Sequence, residues 1–159
     1  PLGCSSASIA MTREHVSRHD HIHARSAQPL TGYVGPIEVQ TLKNPYFRQV
    51  LFTGQHAQLV VMCLQPGEEI GREMQLKVDQ LFRIEQGEAR FVLSENEEHL
   101  LRDGDAIMVP AGTYHAVLNT SKTTPLRLYT IYSPPNHPDG TVHKTKAEAE
   151  VAEAAERHS

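Results

Sequence analysis

An all-β domain closed by one terminal helix is what this sequence predicts, and three features predict it. From Tyr33 onward, short apolar and β-branched runs recur at even intervals, separated by Gly54, Pro66-Gly67, Gly87, Asn96, Gly104, Gly112 and Pro134-Pro135. That rhythm belongs to a sandwich or barrel. Residues 104–119 read as two short strands joined by a fixed loop. A Gly that permits positive φ, a Pro that cannot donate to a ladder and a second Gly specify that geometry. Past Thr145 the period changes to that of a helix.

The candidate strands, in order, are Ile37 to Leu42, Arg48 to Thr53, Gln58 to Leu64, Gln80 to Glu85 and Glu88 to Ser94. Glu98 to Leu101, Asp105 to Val109, His115 to Asn119 and Leu126 to Tyr132 complete the set. Alternation is clear at Ala89, Phe91 and Leu93, which share one face of an extended chain. Thr145-Lys146-Ala147-Glu148 has the spacing of a capping box, in which Thr and Glu serve each other's free backbone donors. Ala147, Val151 and Ala154 or Ala155 then recur at helical spacing, predicting a small-residue stripe packed on the barrel. The organisation expected is an arm over 1–30, a barrel over 31–135, and a loop and helix over 136–159.

Composition narrows the function classes. The chain has 159 residues and a formal charge of −4, one domain's worth with no basic field for nucleic acid. It has no basic amphipathic stretch for a membrane surface and no run of membrane-spanning length. Cys4 and Cys63 are the only cysteines. Two thiols at unrelated positions argue against a disulfide framework and for a reducing, cytoplasmic setting. Pro1-Leu2-Gly3 reads as a tag remnant, with a natural start at or near Met11, and the stretch to Ala10 makes a poor secretion signal. His19, His21 and His23 would share a face if extended, so two readings stand: a solvated arm or a weak metal site.

The pattern Gly104, five residues, Pro110-Ala111-Gly112, two residues, His115, three residues, Asn119 resembles the second signature of the cupin superfamily, with no position missing. The resemblance implies a double-stranded β-helix, a jelly-roll-like barrel whose His points inward, often at a metal. The first signature counts from Gly67 to Gly87. Its two His positions fall on Glu73 and Gln75 and its Glu position on Gln80, so none of the three usual upstream ligands is the usual residue. A branch of small bacterial cupins is similar from about Tyr46 to Ala149, through Gln58-Leu59-Val60, Asp79-Gln80, residues 129–135 and residues 137–146. That branch implies an inward set of Glu73, Gln75, Gln80 and His115, with Gln75 departing even from the branch. Small cupins commonly pair through edge strands, which implies a homodimer.

The substitutions change the expected chemistry. Glu73 and Gln75, two apart on a strand, would project to one face. One imidazole, one carboxylate and two amide oxygens form a poorer set for zinc, manganese, iron or nickel than two imidazoles with a carboxylate. One divalent ion is therefore expected to bind weakly or not at all. Glu73 and His115 are the candidate catalytic pair for proton transfer, with Gln75 and Gln80 orienting a substrate and Phe82 and Met62 as candidate apolar walls. Core packing is the competing role for Phe82 and Met62. The expected function is an enzyme of isomerase, lyase or dioxygenase type on a small polar metabolite, such as a sugar derivative or oxo-acid. The alternative is a non-catalytic module binding a metabolite in a metal-free pocket. His137 and His143 are expected in a capped surface loop or a dimer contact, a lid over the barrel mouth being the other reading, and Tyr114 is expected to point away from the pocket.

Overall fold

In the structure, a computed structural model that describes residues 31–158, the first element departs from the expected strand. Ile37–Lys43 is a helix, α1. Val39, which a strand reading places on the same face as Ile37 and Thr41, is 40% exposed. Ile37 and Thr41 instead lie four apart on one helical face, and the buried Thr41 hydroxyl donates to the Ile37 carbonyl at 2.7 Å. The helix stops because Asn44 precedes Pro45 and must be extended. His19, His21, His23 and Cys4 lie outside the described residues.

Ten strands follow: β1 (Arg48–Thr53), β2 (Gln58–Leu64), β3 (Glu69–Glu73), β4 (Asp79–Gln86), β5 (Glu88–Leu93), β6 (Glu97–Arg102), β7 (Ala106–Val109), β8 (His115–Asn119), β9 (Leu126–Ser133) and β10 (Val142–His143). They form two antiparallel sheets, ordered β10-β1-β2-β9-β4-β7 and β3-β8-β5-β6. Inward residues of both sheets, among them Val60, Met62, Phe82, Phe91, Val117 and Leu128, make one core. Each such side chain contributes about 1.5–3 kcal/mol on burial. Cys63 is a buried free thiol, and burial raises its pKa.

The signature residues hold the turns. Asn119 Nδ2 reaches the carbonyls of Leu64, Gln65 and Thr124 at 3.0–3.2 Å, so it clasps the ends of three segments. Asp79 accepts from the Ala111 amide at 2.8 Å, fixing the Pro-Ala-Gly loop beside β4. Gly87 sits at φ +93°, and a Cβ there would meet Pro125 O at 3.1 Å. Both demands select glycine.

Helix α2 (Lys146–Glu156) begins as the sequence predicts, with Thr145 Oγ1 accepting from the Glu148 amide at 3.2 Å. Its packing face is a correction. Val151 is 72% exposed, Ala147, Ala154 and Ala155 face outward, and the buried position is Ala149. Glu153, one turn on from Ala149, points the same way and pairs with Arg48 at 3.0 Å. The helix is therefore held through a small contact and a charge pair rather than through the alanine–valine stripe.

Candidate functional site

Strand β3 carries a bulge. Ile70 pairs with Val117 and Glu73 with His115, so β3 advances three residues where β8 advances two. Strict alternation from Ile70 would turn Arg72 inward. The extra residue hands that place to Glu73, as bulges do when they re-aim a side chain. Arg72 stays outside, 4.2 Å above the exposed Tyr114 ring, which points away from the interior as expected.

Glu73 Oε1 then meets His115 Nε2 at 3.3 Å. His115 is 2% exposed, and its Nδ1 lies 3.3 Å from the Thr113 carbonyl. A carbonyl only accepts, so Nδ1 carries a hydrogen and Nε2 is the atom turned to the carboxylate. Either a second proton on Nε2 or a shared cation satisfies that pair. Phe82 packs edge-on against His115 at 5.8 Å and Phe91 at 5.0 Å, entirely within the core. Met62 is equally buried. Neither Phe82 nor Met62 reaches the cavity surface.

The two glutamines arrive differently. Gln80, two residues before Phe82 on the same face of β4, is buried and donates from Nε2 to Thr130 Oγ1 at 2.9 Å. Gln75 is past the end of β3, so it does not share a strand with Glu73 as expected. Its carbonyl accepts from the Gly112 amide at 2.8 Å, which ties this turn to the second signature loop. Gln75 Oε1, Gln80 Oε1 and His115 Nε2 are all buried without a hydrogen-bond partner. Both glutamines thus present an unused acceptor, while His115 Nε2 faces the Glu73 carboxylate.

Glu73 and Gln75 border a cavity of about 530 Å³ between the barrel and α2, whereas Gln80 and His115, expected in the same inward set, are buried in the core and do not line it. Its other lining residues include Arg48, Tyr132, Asn136 and His137, none of them nominated from the sequence as site residues. His137 lies in the exposed 134–140 loop, as expected, but its ring turns inward. Its Nε2 is 3.2 Å from the Tyr132 hydroxyl and the two rings cross edge to face. Gln58, wholly buried at the start of β2, holds that loop in place. It donates to the His137 carbonyl at 2.8 Å and to Thr53 Oγ1 at 2.9 Å, and accepts from the amides of Asn136 and His137. Burial, with Arg48 and His143 adding to it, pushes the His137 pKa down to about 3, so the ring is neutral. Burial likewise raises the Tyr132 phenol, Arg48 opposing and Glu73 adding. The signal for these residues was the branch resemblance at Gln58, Tyr132 and residues 137–146.

Residues 60–132 match the cupin-domain family. YrkC of Bacillus subtilis, an uncharacterized protein, is 49% identical over 126 residues, 76% of this chain and 67% of that one. The chain belongs to the cupin superfamily. L612 of Acanthamoeba polyphaga mimivirus, also uncharacterized, is 46% identical over 112 residues, 69% of this cupin and 70% of that protein. The crystal structure of BH2720 from Bacillus halodurans superposes with a TM-score of 0.73 at 43% identity, covering 75% of this chain and 93% of that one.

Many cupins hold a metal, and the donor set here meets that expectation halfway. Among the described residues no group of three or more His, Cys, Asp or Glu gathers to hold an ion. The Glu73–His115 pair and the unpartnered oxygens of Gln75 and Gln80 are nonetheless donor types that a cation accepts. Two neutral amides among them make it a site of low charge and low softness. No described helix is long and apolar enough to cross a membrane.

Proposed function

We propose that this cupin is a small-molecule binding module, with the cavity at Glu73, Gln75, Tyr132 and His137 taking a small polar metabolite such as a sugar derivative or oxo-acid. One observation carries the reading: the side-chain oxygens of Gln75 and Gln80 are buried with no donor, and Gln75 lines the cavity. A buried polar group left unpaired costs about 1–3 kcal/mol, which a ligand hydroxyl or amine recovers on binding. The cavity volume falls in the range of metabolite sites.

The same acceptors favour a second reading, an isomerase, lyase or dioxygenase with one weakly held zinc, manganese, iron or nickel ion. Glu73, Gln75, Gln80 and His115 would hold it, and it would supply Lewis-acid polarisation of a carbonyl. Glu73 and His115 would move the proton.

Metal titration followed by thermal unfolding separates the two. In Gln75→His, an imidazole replaces a neutral amide, so zinc or manganese should raise the melting temperature well beyond its effect on the native chain. An equal response in both proteins would refute a common site for residues 75 and 115. Stoichiometric metal in protein purified without chelator or a nickel column would replace the first reading by the second. The homodimer belongs to this proposal too, and a sedimentation mass near twice 17.7 kDa checks it.

A further inference from the structure

One cation is buried in the wall of the cavity, and its hydrogen bonding is incomplete. Arg48 opens β1 and lines the cavity with only 4% of its side chain exposed. Its Nη1 donates to Glu153 Oε1 at 3.0 Å and lies 3.3 Å from His143 Nδ1. Its Nε is buried with no partner. A guanidinium presents its donors in a rigid planar fork, and the edge that includes Nε matches the two oxygens of a carboxylate. Glu153 therefore fixes the group through one nitrogen and leaves a directional donor unused.

The rest of the lining supplies the complementary groups. Around the cavity Arg72, Lys146 and Arg157 are offset by Glu69, Glu150 and Glu156, and Glu153 balances Arg48, so the unused Nε donor rather than net charge is what the interior offers an anion. Glu73 and Gln75 offer acceptors in the same cavity. Tyr132 lines the same cavity, and its phenol feels the charges of both Arg48 and Glu73.

We propose that Arg48 is the anion anchor of the cavity, which takes a small carboxylate-bearing metabolite with its carboxylate on the Nε edge of Arg48 and its hydroxyl or amino hydrogens on Glu73 and Gln75. The inference rests on the cavity being a ligand pocket. Glu153 balances the guanidinium charge and holds its plane, so the anchor is preset before an anion arrives.

The test follows the Arg48 Nε–H resonance of the native full chain by ¹⁵N-edited NMR, assigned in that chain by through-bond correlation to the Arg48 side-chain and backbone resonances. L-malate is compared with butanetriol, which has the same carbon chain with hydroxyls in place of carboxylates. The expected result is a saturable shift with malate at about 10 mM or below, and none with the triol or with sodium chloride at matched ionic strength. Arg48→Lys should weaken malate binding at least about 10-fold, a bidentate fork being lost. Glu153→Gln removes the competing negative charge and should tighten it. An Nε–H unmoved by malate, or moved equally by the triol or by chloride, overturns the proposal, as does equal loss of binding in Glu153→Gln and Arg48→Lys. The native-chain measurement stands even where a variant fails to fold. Triol binding that depends on Glu73 would keep the pocket and remove the anion anchor. Malate binding that depends on Arg48 but not on Glu73 or Gln75 would do the reverse. Binding of neither probe would remove both.

Discussion

Gln58→Leu tests the wall of the cavity through a residue that never touches its contents. Leucine keeps the approximate volume and discards four hydrogen bonds, those to Thr53 and the His137 carbonyl and those from the Asn136 and His137 amides. Each is worth about 1 kcal/mol net, and the unmatched backbone groups cost more while they stay dry. The 134–140 loop can swing out to water, so the expected loss of unfolding free energy is about 2–4 kcal/mol rather than the sum of four full penalties. Urea denaturation measures that loss. Hydrogen exchange localises it: the amides of Asn136 and His137 should exchange about 10- to 100-fold faster while β4 and β9 keep their protection. The Tyr132–His137 contact should loosen with them. A loss under about 1 kcal/mol with unchanged exchange at His137 would refute the claim that Gln58 holds the loop.

Gly87→Ala should lose about 1–3 kcal/mol, because alanine at φ +93° is strained and its Cβ abuts Pro125 O and Leu126 Cα; an unchanged urea midpoint would show that the turn relaxes freely. His137 is held neutral with a pKa near 3 against an ordinary 6.5, so between those values the unfolded chain binds the extra proton. Stability should therefore be complete above about pH 6.5 and fall as pH drops toward 3, by at most about 1.4 kcal/mol per pH unit for one group. Glu85, raised by burial, works in the opposite direction by losing stability as pH rises through its folded value. Comparing the profile with that of His137→Asn isolates the histidine, and identical slopes would mean that residue 137 is not the group concerned.

The framework was readable where a pattern is local. Strands β1, β2 and β8 begin and end where alternation and turn residues put them. The meeting of Glu73 with His115 was readable through the two signatures. Segment 37–43 was not, since Ile37, Val39 and Thr41 fit a period of two as well as Ile37 and Thr41 fit a helical turn. Helix α2 was found, but its inner face was misjudged because an ion pair outweighs a thin alanine stripe. The cavity wall was hidden for a different reason. Gln58 meets His137 across 79 positions and Arg48 meets Glu153 across 105, and no window of sequence holds either pair.

The irregularity in β3 has a practical consequence for anyone transferring annotations between cupins. Past Gly71 the odd–even rule reverses, so a gap misplaced by a single position exchanges a carboxylate for a guanidinium in the inferred interior. Two aligned sequences could then be scored as sharing a ligand that one of them presents to solvent. For this strand, the backbone decides which letter of the sequence is inside.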